Sequence, residues 1–482
     1  MMRNLLYCLC LMAALISCND NRPVVAADGP PPIYPDYNEV TIPVNVAPLN
    51  FLVRGDVKGV WVLVDGQTLS KRSDNKAIFD QKQWHRLLNQ YRGNRIPIEI
   101  RTLNDNCWHA YSTTWFVAPD SIDPYLTYRL IEPDYEVYHN ISLHERCIEN
   151  FDERPISTHR LVGDRCMNCH TFANQDPSHS MMYVRGPGGG AILNDNGSLS
   201  KLDIKADGMV SGSVYFAFSP SGRFITFSSN VIIPAFHSQA AQRMEVYDSA
   251  SDIYVADLQS SRIMGSPLVA DTTMLETFPT FSPDGKYIYF CQSPLVQLPE
   301  NVHDLQYSLC RIAFDEATGT MGQQIETVVN ASDASTGKNS VSHPRLSPDG
   351  RYLLYTVADY GTFPIWHREA DLRMMDLGTG RIDSLNCVNS DKSDTYHSWS
   401  SNSRWFVFAS KRGDGMYGKP YFCYIDSKGK AHKPFVLPQK NPEFYNYCLK
   451  SFNAPELGRG PVPFDAHDVA ATMATEAVKF SH

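Results

Sequence analysis

A ten-residue phrase recurs through the second half of the chain and restricts its fold more than any other feature. It reads Phe218-Ser219-Pro220-Ser221-Gly222-Arg223-Phe224-Ile225-Thr226-Phe227, then Phe281-Ser282-Pro283-Asp284-Gly285-Lys286-Tyr287-Ile288-Tyr289-Phe290. It returns as Leu346-Ser347-Pro348-Asp349-Gly350-Arg351-Tyr352-Leu353-Leu354-Tyr355, and in degraded form as Trp399-Ser400-Ser401-Asn402-Ser403-Arg404-Trp405-Phe406-Val407-Phe408. Each copy is a strand end, a Pro-Asp-Gly type turn and a second strand rich in aromatic and β-branched residues, which is a hairpin. Further strand-like runs follow inside each unit, at residues 251–258, 308–315, 371–377 and 420–426. A unit of three or four strands cannot bury both its faces alone. Units recurring roughly every 50–65 residues must therefore stack on one another around an axis, as blades of a β-propeller do.

The remaining segments divide around that repeat. Alternating runs from 40 to 118 predict a small β-sandwich, Ig-like, with one helix over Ala77–Tyr91. Residues 119–160 read as a connector, 161–440 as the propeller, and 441–482 as a closing segment with helical composition from Ala466 to Phe480. Five strand-turn-strand units can be counted and a sixth would come from residues before Leu161, so the expectation is an all-β fold with five or six blades. Aromatics at 11% fill a large core and exclude disorder as the main state. The net charge of −9, without a basic run longer than a pair, argues against a nucleic-acid partner.

The chain opens with Arg3 and an apolar stretch from Leu5 to Ile16, ending in Leu15-Ile16-Ser17-Cys18. A short apolar run after a basic start is an export signal, residues 1–18. The Leu-Ile-Ser-Cys ending looks like a bacterial lipobox, which makes Cys18 the lipid carrier and 19–39, rich in proline, a tether; the alternative is an ordinary cleaved signal that ends near Ala27. The expected location is the cell envelope, at the outer membrane or periplasmic face, with acyl chains as the only membrane attachment.

The turn chemistry and the strands of the SDIYVADL type resemble the TolB-like, WD40-like (PD40) propeller family over roughly residues 160–440. The resemblance implies the fold and leaves function open, because such propellers serve many roles.

Chemistry enters with Cys166-Met167-Asn168-Cys169-His170. Two cysteines three apart followed by histidine form the attachment signature of a c-type haem: thioethers from Cys166 and Cys169, and His170 as an axial ligand. A zinc half-site would want a second Cys/His pair, a thioredoxin-type pair a βαβ setting, and a structural disulfide loop remains open. Aligning His170 with Phe216, Pro279, Pro344 and His397 puts the motif in the first strand pair of the repeat. It makes Met181-Met182-Tyr183-Val184 the counterpart of Tyr287-Ile288-Tyr289-Phe290, across a longer turn. In that register the ring lies at one mouth of the channel, and the leading candidate for sixth haem ligand is Met181 or Met182, with His343 and His397 as weaker ones; the alternative is that the methionines pack inside the blade and the histidines are structural or line the channel.

CMNCHTF, the SMMYV strand, the Gly-rich RGPGGG and the ending KPFVLPQKNPEFYNYCLKSFNAPEL together resemble a group of exported bacterial lipoproteins that pair CxxCH with a TolB-like propeller. Of the twelve cysteines, those not used by signal, lipid or haem are odd in number and cannot all pair. Cys291 with Cys310 and Cys107 with Cys147 are the disulfide candidates, and buried free thiols that pack as small apolar groups are the alternative. No hydrolase elbow, zinc-protease motif or phosphate loop is present. Three functions compete: an envelope lipoprotein with one covalent haem c that exchanges electrons with a redox partner protein, a non-catalytic scaffold that grips an envelope protein, peptide or glycan, and a haem enzyme with an open coordination position.

Overall fold

The computed structural model describes Asp20 and residues 22–132, 140–236, 244–331 and 340–481, apart from the side chains of Asn168, Cys169 and Phe236. The export signal and Cys18 lie outside the described residues.

Six four-stranded blades form the propeller. Named from the innermost strand outward, blade II is Met167–Ala173, Asp176–Val184, Gly190–Asp195 and Ser198–Asp203. Blade III is Ser213–Phe218, Phe224–Phe236, Met244–Asp257 and Arg262–Gly265, and blade IV is Met274–Phe281, Tyr287–Pro294, Ser308–Asp315 and Thr320–Val329. Blade V is Ser340–Leu346, Tyr352–Ala358, Asp371–Asp376 and Ile382–Asp383; blade VI is Asp394–Trp399, Trp405–Ser410, Lys419–Tyr424 and Phe435–Val436. Blade I is composite. Its three outer strands, Tyr125–Ile131, Ser142–Cys147 and Glu153–Thr158, come from the segment read as a connector, and its innermost strand, Ser451–Gly458, comes from near the C-terminus. Innermost strands touch their neighbours in the order I to VI and back to I, so backbone hydrogen bonds between the two ends of the chain close the ring.

The repeated phrase recurs because its side chains make the same turn each time. Ser219, Ser282 and Ser347 accept the backbone N–H five residues on, from Phe224, Tyr287 and Tyr352, at 3.2, 3.0 and 2.8 Å. Ser282 and Ser347 also donate to Asp284 and Asp349 at 2.6 Å. Gly222, Gly285 and Gly350 follow at φ +74°, +71° and +72°, a region glycine enters without cost.

Several expectations are corrected here. Residues 119–160 are not a connector, and the propeller extends beyond 161–440. The Pro-rich 19–39 is not a tether over its described part: Val24–Ala26 pairs in parallel with Trp108–Ala110, and Ile33 and Tyr37 are buried in the core. In the N-terminal region, a six-stranded and a three-stranded sheet accompany the helix Gln81–Gln90, shorter than predicted and capped by Asp80. Its core is continuous with Trp405, Phe422 and Phe435 of blade VI, so sandwich and propeller share one hydrophobic interior. The closing segment supplies a strand, the helix Ala466–Met473 and the short strand Val478–Lys479 that pairs with blade II.

All described cysteine side chains are free thiols. Cys291 and Cys310 lie on neighbouring strands, but Phe290 pairs with Cys310 and Cys291 with Leu309, which puts the two sulfurs on opposite faces of the sheet. Cys107 starts a strand of the N-terminal sheet and its Sγ lies 3.4 Å from the Pro23 carbonyl, whereas Cys147 ends a strand of blade I. Among the described residues no helix is long and apolar enough to cross a membrane.

Candidate functional site

Every innermost strand carries a bulge at the same register. The pairing slips between Val214 and Ala217, Thr277 and Thr280, Ser342 and Arg345, Thr395 and Ser398, and, in the haem-motif blade, between Asn168 and Thr171. In blade I the partner strand skips Tyr128 opposite Ala454 and Pro455. The first bulged residue is left-handed in five blades: Tyr215 at φ +56°, Phe278 at +52°, His343 at +52°, Tyr396 at +47° and Ala454 at +48°. None is glycine, so each costs about 1–2 kcal/mol of backbone strain. Bulges re-aim side chains, and here they turn aromatic rings onto one another around the channel. Ring centroids are 4.4 Å apart for Tyr215 and Phe278, 3.9 Å for Phe278 and His343, and 5.0 Å for His343 and Tyr396. The arc ends at Ala454, and Cys169 stands at the remaining register position.

Next to this arc is a cavity of about 310 Å³, at the small end of ligand pockets. Cys166, His170, Phe216, Phe278, His343 and His397 line it, together with Arg129, Arg185, Arg345, Lys411, Glu132 and Glu456. The predicted alignment of His170 with Phe216, Pro279, Pro344 and His397 agrees with the bulge register. The second strand differs by two residues. Thr171 pairs with Met181 as Thr280 pairs with Tyr289, so Met181 corresponds to Tyr289 and not Tyr287. The connection is longer by one residue and not three: seven residues separate Phe172 from its partner Ser180, against six between Phe281 and Ile288. Its tip is tight, with Ala173 paired to Asp176 across Asn174 and Gln175, both left-handed, and residues 177–179 bulge out of this ladder.

That strand withdraws both methionines from the site. Met181 packs between blades II and III with Ile225 and Phe227, and Met182 packs on the other face with Ile141 and Phe464. Neither lines the cavity, and the leading choice of sixth ligand is corrected accordingly. His343 and His397 do reach it.

Three buried imidazoles therefore share the cavity. The His170 ring donates to the Thr127 carbonyl, which leaves Nε2 buried without a partner. Burial, and then the Arg129 charge, lower its pKa to about 4, so the ring is neutral with a bare lone pair. His397 is lowered to about 3 by burial and Arg345, with Nε2 3.0 Å from the Leu354 carbonyl. His343 is held well below its ordinary value by burial, then by Arg345 and His397. Glu456 accepts the Phe172 N–H at 2.9 Å and the Thr171 hydroxyl at 3.4 Å, tying blade I to the two residues after His170, and burial raises it to about 7. Among the described residues, no three His, Cys, Asp or Glu side chains converge to hold a bare metal ion.

The residues fit a covalent haem. Cys166 and a histidine with an unpartnered Nε2 open into one space, aromatic rings wall it, and Arg129, Arg185, Arg345 and Lys411 offer partners to carboxylates. Anchoring one His nitrogen on a backbone carbonyl while the other stays bare is how proteins orient an axial ligand. Sequence reasoning missed the aromatic arc, Arg129 and Glu456. An aromatic residue in a bulge reads like any other strand residue, and nothing local places residues 129 and 456 beside 170.

No family model and no curated protein sequence matches the chain. Among solved structures, it is similar to TolB from Acinetobacter baumannii at 12% identity, over 75% of this chain and 78% of that one, with a TM-score of 0.43. It is also similar to an auxiliary nutrient binding protein from Bacteroides thetaiotaomicron, at 12% identity over 80% and 98% of the two chains with a TM-score of 0.34. A puromycin hydrolase aligns at 11% identity with a TM-score of 0.37, and the match spans 45% of its length.

Proposed function

We propose that this protein is an exported propeller scaffold whose central cavity holds one haem c, attached through Cys166 and Cys169 with His170 as axial ligand, and that it carries single electrons for a redox partner protein in the cell envelope. The observation that carries the reading is the buried, unpartnered Nε2 of His170 in a cavity that Cys166 also lines. A bound haem would supply a one-electron iron couple. The chain's own part is to hold the His170 ring on the Thr127 carbonyl, fix the following strand through Glu456, and present arginines to the propionates. The lipobox ending at Cys18 supports a lipid anchor, and export supports covalent attachment, which takes place outside the cytoplasm.

A second reading rests on the cavity itself. Aromatic walls and four cationic side chains would also suit a non-covalent anionic or aromatic ligand of an envelope scaffold.

Coexpression with a haem-maturation system separates the two. Intact mass should equal the processed chain plus lipid plus one haem, and a haem-dependent peroxidase stain should survive denaturation. Colour should vanish in Cys166→Ala/Cys169→Ala. A colourless wild type at the mass of the lipidated polypeptide would leave the scaffold reading.

A further inference from the structure

We infer that His343 is the distal ligand of the haem, facing His170 across the propeller channel. The inference rests on the haem reading above and specifies which residue of this chain completes the iron's coordination.

Blade order gives the first reason. Two axial ligands of a planar macrocycle must approach from opposite sides. In a closed ring of six, blade II faces blade V, and the two innermost strands carry His170 and His343. His397 lies on blade VI, next to blade V and two places from blade II, and its Nε2 is already engaged by the Leu354 carbonyl at 3.0 Å.

The second reason is the state of the His343 side chain. It is 7% exposed, and its Nδ1 is buried without a hydrogen-bond partner. A buried polar group left in that condition costs about 1–3 kcal/mol. The residue also sits at φ +52°, which histidine adopts only against further strain. Phe278, 3.9 Å away between centroids, and Tyr396, 5.0 Å away, hold the ring in place at the cavity wall. Two local costs are thus borne at a histidine on the wall of the cavity that His170 also lines.

The test uses the full-length, haem-loaded protein and reads spectra rather than turnover. Wild type should show a six-coordinate, low-spin ferric spectrum by electron paramagnetic resonance, and its reduced form should not bind carbon monoxide promptly. His343→Asn keeps a side chain that tolerates left-handed backbone. It should become high-spin and bind carbon monoxide within mixing, and added imidazole should restore the low-spin spectrum. His397→Asn should retain the wild-type spectrum. If His343→Asn fails to fold by circular dichroism, His343→Met serves instead and should raise the reduction potential, as methionine in place of histidine does. A haem-loaded His343→Asn, or a His343→Met, indistinguishable from wild type overturns the assignment and leaves the haem reading intact, as does a spectral change confined to His397→Asn. Absence of covalent haem in the wild-type mass overturns both.

Discussion

Single residues in this propeller carry burial costs that their contacts offset only in part, and His343 is not alone in this. Asp248 is fully buried, and burial pushes its carboxyl up to about 7; Glu276, also buried, rises to about 8. Both hold protons more tightly folded than unfolded, where ordinary values near 4 apply. Their contribution therefore favours the fold at low pH and is lost as pH rises from about 4 through 7 to 8. Asp248→Asn should be more stable than wild type, by an amount that grows between pH 5 and pH 8.5 and reaches roughly 2–4 kcal/mol at the upper end. Urea midpoints across that range would show it, and a constant difference would refute the titration. The CxxCH motif was legible at this scale because residue type and spacing state it. Which histidine nitrogen stays bare was not, since that depends on the Thr127 and Leu354 carbonyls, 43 residues distant in each case.

At the scale of elements, the turns were the most legible part because each is built from neighbours in sequence. The degraded copy explains itself only in three dimensions. Ser403 stands where the other copies have glycine, at φ +58°, and its hydroxyl accepts the Asp349 N–H of the preceding blade's turn at 2.9 Å. It accepts left-handed strain to link two blades. Ser403→Ala should lose the hydrogen bond and keep the strain, destabilising by about 1–2 kcal/mol. Ser403→Gly should be about 1 kcal/mol less damaging because the strain is relieved. Gly350→Ala, where an added Cβ meets nothing within 4 Å, should cost about 1 kcal/mol from conformation alone. Denaturant midpoints of the three variants give the order. The two-residue error in the register of Met181 arose at this scale too. The number of residues that bulge out beside a turn leaves no mark in the sequence, and only the pairing of Phe172 with Ser180 and of Ala173 with Asp176 shows it.

For the whole molecule, closure decides stability. Blade I joins residues 125–158 to Ser451–Gly458, and Phe422 and Phe435 of blade VI are covered by the N-terminal sheets. Truncation after Lys450 removes an innermost strand, and removal of 19–118 uncovers a hydrophobic face. Neither product should show a cooperative thermal transition by calorimetry, and retention of one by either would contradict the shared core. What the amino-acid order determined alone was everything encoded by neighbours along the chain: hairpin turns with their Ser, Asp and Gly, alternating strands, the CxxCH spacing and the apolar run from Leu5 to Ile16. What the tertiary structure decided was everything encoded by neighbours around the ring: the composite blade I, the withdrawal of both methionines into blade interiors, and the meeting of His170 and His343 at one cavity. Hydrogen-bonded turns act over a few residues and leave a pattern in any window, whereas closing a ring brings together groups hundreds of residues apart, for which local sequence carries no signal.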